Sequence, residues 1–486
     1  MKILQISSEV TPFAKTGGLA DVAAALPKEL RRMGHDVRVI MPCYRSVVAG
    51  EFPVRKARKS AEVELAGELH KGFLRQTALG DVPVYLVEHR ELFGRDFLYG
   101  TPEEDYPDNP RRFAFFCRSV LQFMKRMDFR PDVIHCHDWQ TALIPIILRH
   151  ELATDPFFAR TAVVFTIHNL AYQGLFPPAS LAEMGLDPAL LTMETLEFYG
   201  KVNLMKGAIL AADAITTVSR NYCAEIRTPE HGCGLEGVLE QRGADLHGIM
   251  NGLDTEEWNP AADRRIFRNY SPRALAGKGA DKLELQRELK LRVSPDIPLI
   301  GMVGRIVEQK GVDLIVELLP RFAAGDLQLV ILGTGDARSM ALLDRFRGAP
   351  NISINLGFRD PLAPRIYAGS DMFLMPSRFE PCGLSQLIAL RYGAVPIVRR
   401  TGGLADTVVD VTTSPREGNG FSFDDFTADA CWEAVQRALA AYGDREGWRK
   451  IMRRGMLQDV SWRSAAVQYE ELYRAGLERK QGGSRG

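Results

Sequence analysis

Short apolar runs recur along this chain with helical stretches between them. MKILQI, DVRVIMP, VPVYLVE, DVIHCHD, AVVFTIHN, AITTVS and LHGIMNG come first. After a charged, irregular stretch near 260–295 follow PLIGMVG, LQLVILGTG, ISINLGF, DMFLMPS and VPIVRRTGG. Most are rich in Val and Ile and end in Gly, Asn, His, Asp or Ser. Buried parallel strands covered by helices on both faces read this way. The alternation of strand, polar loop and helix predicts an α/β doubly wound sheet, and the break predicts two of them.

The stretch NGLDTEEWNPAADRRIFRNYSP has turn residues, charges and no hydrophobic period, so it marks the junction. The predicted division is 1–248 for the first domain, 249–458 for the second and 459–486 for a terminal segment. In that segment SWRSAAVQYEELYRAGLERK is amphipathic, with Ala466, Tyr469, Leu472 and Tyr473 on one side, and QGGSRG reads as a frayed tail.

Composition narrows the partners. Lys plus Arg equals Asp plus Glu at 61 each, so no global field draws nucleic acid or an anionic membrane. Seven cysteines lack a repeating spacing, which argues against a full disulfide framework. The opening MKILQISSEV reads as a strand and not a leader, and no window reaches the ~18 apolar residues of a span. The expectation is a cytoplasmic enzyme with a neutral partner.

Ligands of such sheets bind beyond the carboxyl ends of the strands, and the candidate chemistry lies there. KTGGLAD (15–21) follows the first strand and opens a helix; RTGGLAD (400–406) repeats it after a late strand. Gly17 and Gly18 admit a close backbone approach, the helix start offers N–H groups, and Lys15 adds a charge. A single copy would be read as a turn, but two copies with leading cations favour an anion grip, with Thr401 and Gly402 in the second. In GRIVEQKG, Arg305 and Lys310 share one short loop and both suit a diphosphate. SRFEPCGLSQL places Glu380 before a helix start, where a carboxylate either caps the helix or accepts sugar hydroxyls. Cys382 there has no nearby histidine and reads as a small, snug residue.

HCHDWQ tempts a metal reading, yet only His135 and His137 share a strand face, too few for a site, and packed histidines are expected. Asp138 and Trp139 suit a carbohydrate contact, an acceptor beside an apolar ring. His168 and Asn169 lie at another strand end. No Asp-x-Asp pair occurs to hold a metal on a nucleotide sugar, so Arg305, Lys310, Lys15 and helix starts must neutralise a departing diphosphate.

KTGGLADV, HDWQT, TIHNLAYQG, EFYGKVNLMKGAI, TVS, TPEHGCGLEGVL, NGLDTEEWNP, RIVEQKG, SRFEPCGLSQL and RRTGGLADTV stand in the order seen in bacterial glycogen synthases, and plant starch synthases are similar. The resemblance spans the chain. It implies a GT-B fold, two Rossmann-like domains facing a central cleft with a last helix crossing back. It implies retaining transfer of glucose from ADP-glucose to the non-reducing end of an α-1,4-glucan, elongating glycogen, with no cofactor and no metal.

By the same resemblance Lys15, Gly17 and Gly18 meet the donor phosphate, Arg305 and Lys310 the diphosphate, and Glu380, Cys382, Gly383 and Leu384 the glucose. Thr401 and Gly402 lie near the phosphate. His168, with Asn169, lies beneath the transferred sugar, and Asp138 and Trp139 are acceptor-side contacts. Tyr99 on the acceptor side and Asn251 on the donor side match more loosely. Many retaining GT-B enzymes carry a second Glu eight residues after the first; Ile388 stands there, as in the bacterial subfamily. Two rivals stay open: a sugar-nucleotide epimerase or disaccharide-forming transferase on the same fold, and a non-catalytic glucan- or nucleotide-binding protein.

The charge pattern makes a first prediction. Exhaustive chelation is expected to leave transferase activity unchanged, measured as labelled glucose entering polymer. Strict dependence on added magnesium or manganese would overturn it.

Overall fold

The computed structural model describes residues 1–50, 52–101, 103–357 and 361–482. Its chain divides into two compact units. Residues 1–218, 223–252 and 462–486 make the first, and residues 219–222 and 253–461 the second.

Strands of the first unit are β1 (Lys2–Ile6), β2 (Asp36–Pro42), β3 (Arg55–Leu65), β4 (Glu68–Leu79), β5 (Val82–Glu88), β6 (Val133–His137), β7 (Ala162–Ile167), the short β8 (Leu175–Phe176), β9 (Glu197–Phe198) and β10 (Lys201–Asn203), then β11 (Ala214–Thr217) and β12 (Leu246–Gly248). The main sheet runs β12-β11-β7-β6-β1-β2-β5-β4-β3. It is parallel from β12 to β5. The hairpin β3–β4 extends it antiparallel, a departure from the purely parallel expectation. The chain order reverses at β1, with β2 on one side and β6 on the other. The loops after β1 and β6 therefore flank a gap that no crossover covers.

The amphipathic helix Trp462–Gly482 buries Trp462, Ala466, Tyr469, Leu472 and Tyr473 in one cluster with Ile3, Val22, Leu26, Val133 and Val164. These positions recur at three- and four-residue spacing, which puts one stripe against the sheet and against the helix Gly18–Arg32. Below that stripe lies a polar contact. Tyr473 OH meets His135 Nδ1 at 2.7 Å, and the other imidazole nitrogen meets Thr166 Oγ1 at 2.5 Å. All three residues are buried.

The second unit holds β13 (Leu299–Val303), β14 (Gln328–Gly333), β15 (Ile352–Leu356), β16 (Met372–Met375), β17 (Val395–Arg399) and β18 (Phe421–Phe423). They form a sheet ordered β15-β14-β13-β16-β17-β18, parallel throughout. Its order reverses between β13 and β16. Buried Lys282 is ion-paired with half-buried Asp371 (2.7 Å) at its lower edge, where Asp371 also accepts from the Leu299 amide at the start of β13.

The terminal helix contact is testable. Tyr473→Phe keeps the ring and leaves His135 Nδ1 without its partner, which costs about 1–3 kcal/mol. Urea unfolding of the variant is expected to shift to lower midpoint by that amount; an unchanged midpoint would mean that the hydroxyl contributes nothing.

Candidate functional site

In the first unit the loop after β1 carries KTGGLAD, and its anion grip is organised differently from the sequence expectation. The amides of Thr16 and Gly17, predicted to face a ligand, donate instead to Glu9 Oε2. Thr16 Oγ1 and Tyr99 OH both donate to Glu9 Oε1 at 2.6 Å, and Ser8 Oγ donates to the tyrosine oxygen at 2.7 Å. A buried carboxylate of the chain thus occupies the helix start. Tyr99 is correspondingly placed under this loop, and burial with the neighbouring Glu9 charge pushes its phenol well above the ordinary range. Lys15 is half exposed and reaches Asp21 with both carboxylate oxygens at 2.7 and 2.8 Å. A Cβ added at Gly17 would meet nothing within 4 Å, so the loop surface stays open to a ligand.

Asp138 follows β6 with φ 56, a strained backbone for a non-glycine residue. Its Oδ1 accepts from the His168 amide at 2.8 Å and ties the loop after β6 to the loop after β7. Burial raises its carboxyl to about 7 against the opposing pull of the His168 and Asn169 amides. The His168 ring Nε2 meets His137 Nδ1 at 2.9 Å, and burial drives the His168 imidazole down to about 3. His135 and His137 are packed histidines, ring centroids 4.1 Å apart. Asn169 closes a local turn by accepting from Ala171.

Trp139 corrects an expectation. Its ring is enclosed by Phe113 and Phe176 at 5.1 and 5.5 Å, and Gly174 is packed so tightly on it that a Cβ would come within 2.9 Å. With 8% of its surface exposed it supports the loop and offers no open face to a sugar. Asn251, after β12, is buried with an unpartnered Oδ1.

In the second unit the loop after β13 and the loop after β16 flank the reversal and are zipped together. The Arg378 amide donates to the Gln309 carbonyl at 2.9 Å, and Gly311, at φ 71, would place a Cβ 2.0 Å from the Pro376 oxygen. Lys310 is ion-paired with Glu380 Oε2, which also accepts from Ser377 Oγ at 3.1 Å. Glu380 is buried, its Oε1 has no protein partner among the described residues, and Lys310 keeps donors to spare. Arg305 is exposed and touches Gln309 at 3.0 Å.

The second TGG sits behind this loop. Cβ atoms at Gly402 and Gly403 would fall 1.9 Å from the carbonyls of Glu380 and Cys382, and the Gly403 amide donates to the Glu380 carbonyl at 3.0 Å. Its glycines admit the chain's own backbone. Thr401 is buried beside them. Cys382 is buried, as a snug residue should be. Gly383, at φ 72, turns the loop against Gln386, and Leu384 begins the helix Ser385–Arg391. Ile388 belongs to the buried side of that helix.

Sequence reasoning missed Glu9, Ser377 and Asp21. Only Glu9 had a signal, an acid directly after a buried strand with an anion-type loop to follow.

Residues 2–241 match the family model for the starch synthase catalytic domain, and residues 286–454 that for glycosyl transferases group 1. The chain is 76% identical to glycogen synthase 2 of Geobacter metallireducens over 99% of its length and all of the relative. It is 60% identical to a glycogen synthase of Geotalea daltonii over 99% of its length and all of that relative. Among solved structures it resembles the catalytic domain of starch synthase IV from Arabidopsis thaliana, bound to ADP and acarbose: TM-score 0.92, 35% identity, 98% of this chain and 99% of that one. A sucrose-phosphate synthase from Thermosynechococcus elongatus shares the fold at TM-score 0.62 and 18% identity, covering 98% of each chain. No helix among the described residues is long and apolar enough to cross a membrane.

The raised Asp138 carboxyl gives a pH prediction. With its folded pKa above the unfolded value, the folded chain holds a proton that the unfolded chain loses between about pH 4 and 7. Stability from this group is present at low pH and lost as pH rises through 7. Asp138→Asn keeps an acceptor for the His168 amide and removes the ionisation. The variant's melting temperature relative to the parent is expected to climb by several degrees from pH 5 to pH 8, at about 2–4 °C per kcal/mol. A flat difference would show ordinary ionisation at Asp138.

Proposed function

The chain belongs to the glycogen and starch synthase family of glycosyltransferases, with its GT-B fold of two Rossmann-like domains. From that premise we propose that it elongates an α-1,4-glucan in the cytoplasm by retaining transfer of glucose from ADP-glucose, without a metal or other cofactor. The observation that carries this reading is the loop pair at the reversal of the second sheet. There Arg305 is exposed, Lys310 has unspent donors, and Glu380 keeps one carboxylate oxygen without a protein partner among the described residues. Cations for a diphosphate and an acceptor for sugar hydroxyls stand side by side.

Two further features support it. An open surface depression at the ends of β14 and β15, lined by Thr334, Met340, Asp344, Arg347, Leu356 and Gly357, lies on the same sheet edge. The starch synthase relative was solved with ADP. An epimerase or a non-catalytic binder does not suit a chain so close to glycogen synthases over its whole length.

In this mechanism the acceptor's 4-hydroxyl oxygen bonds to C1 of the donor glucose on the face that the diphosphate leaves. The bond from C1 to the phosphate oxygen breaks, its electron pair stays with the phosphate, and that oxygen takes the hydroxyl proton. Arg305 and Lys310 stabilise the growing negative charge. Glu380, held by Lys310 and Ser377, orients the sugar and is not spent as a nucleophile. A double displacement would need a carboxylate beneath C1, where the motif order puts His168.

Lys310 acts on charge that appears in the transition state, and Lys15 on charge already present in the bound donor. Lys310→Ala is expected to lower kcat by about ten- to a hundredfold with little change in KM. Lys15→Ala is expected to raise KM for ADP-glucose more than it lowers kcat. Steady-state kinetics on variants with unchanged melting curves decide both. An untouched kcat in Lys310→Ala would remove this loop from the chemistry.

A further inference from the structure

Three side chains of the first unit form a line from the middle of the sheet to its functional edge. Gln5, on β1, presents Oε1 to His137 Nε2 at 3.3 Å, and His137 Nδ1 meets His168 Nε2 at 2.9 Å. Gln5 and His137 have no exposed surface, while His168 is half-buried at the end of β7. Burial keeps both imidazoles neutral, His137 held far below its usual range and His168 at about 3. A neutral imidazole has one donor nitrogen and one acceptor nitrogen, and a carbonyl oxygen can only accept.

With Gln5 Oε1 set toward His137, an orientation that leaves the amide Nε2 buried without a partner, those rules give one assignment. His137 gives its Nε2 proton to Gln5 Oε1, so its Nδ1 is a lone pair. The only proton that can fill the contact between the rings is then on His168 Nε2. His168 Nδ1 is left as a lone pair, with no protein partner among the described residues and no place among the buried unpartnered atoms. Neighbouring His135 cannot reverse the line. Both its nitrogens are engaged, by Tyr473 and Thr166, and it touches His137 only through its ring face. The His168 backbone is anchored separately, by its amide to Asp138 Oδ1.

We propose that Gln5 and His137 are positioning residues that fix His168 as an acceptor toward its ligand, so that this point of the site selects a sugar hydroxyl that donates and rejects phosphate and ether oxygens. The proposal rests on the reading that the transferred glucose lies over His168, and deepens it. Gln5 lies well inside the sheet and touches no ligand; its effect passes through two rings.

The test uses full-length protein labelled with ¹⁵N in its histidine rings. Long-range proton–nitrogen correlation spectra, assigned by the signal lost in His168→Gln, report which ring nitrogen carries hydrogen. His168 is expected to show a protonated Nε2 and a bare Nδ1. In Gln5→Leu, or Gln5→Met should leucine fail to fold, that single form is expected to give way to a mixture. Hydrogen on Nδ1 in the parent protein, or a tautomer indifferent to Gln5, overturns the proposal. Turnover of deoxy and deoxyfluoro ADP-glucose analogues follows on the same samples. Fluorine cannot donate, so at one hydroxyl position both analogues are expected to lose about ten- to a hundredfold in kcat/KM, and this penalty shrinks in the Gln5 variant. Equal tolerance of fluorine at every position overturns the selection of a donor. Failure of the parent protein to turn over ADP-glucose at all would instead overturn the enzymatic reading, and the spectra would still report the tautomer.

Discussion

A parallel sheet covered on both faces leaves its strand-end loops open at one place, where the chain order reverses and two neighbouring crossovers depart in opposite directions. Both sheets of this protein obey that constraint, between β1 and β6 in one and between β13 and β16 in the other. Lys15 and Asp138 follow the strands of the first reversal; Arg305, Lys310 and Glu380 follow those of the second. Once the strand orders are set, these residues have no other edge to occupy.

Loops at such an edge must still satisfy their own backbone, and each unit meets this need differently. In the first unit Glu9 supplies a buried carboxylate to the amides of Thr16 and Gly17. It stands where an anionic ligand would otherwise be required to hold the loop. In the second unit the glycines of TGGLAD accept the carbonyls of Glu380 and Cys382 at a distance that no side chain would permit. The same heptapeptide serves as an open surface once and as a packing face once. Both copies lead a loop into a helix, but the first glycine is extended in one (Gly17, φ -152) and left-handed in the other (Gly402, φ 46), and the neighbours gave the repeat different work.

The ion pair that joins the two loops of the second unit follows a similar logic. Lys310 and Glu380 are seventy residues apart, and each would be costly to bury alone. Bringing them together lets Glu380 lie buried while one carboxylate oxygen and part of the ammonium's donor capacity stay unused by the protein. Rigid placement with residual valence is what recognition of a charged sugar donor requires.

The sequence by itself determined the two doubly wound sheets, the terminal amphipathic helix, and the strand-end positions of Lys15, Asp138, His168, Arg305, Lys310 and Glu380. Those features depend on periodicity and on turns between near neighbours, which are local properties of the chain. The hairpin β3–β4 was less legible because its turn uses Ala66 and Gly67, both at positive φ, where asparagine and glycine would have announced it. Only the tertiary structure decided that Trp139 is enclosed, that Glu9 fills the first helix start, and that Gln5 governs His168 through His137. Gln5 and His137 are 132 residues apart. A hydrogen bond over that separation has no period and no motif; it exists because parallel strands β1 and β6 lie side by side, and strand adjacency is set by the packing of the whole sheet.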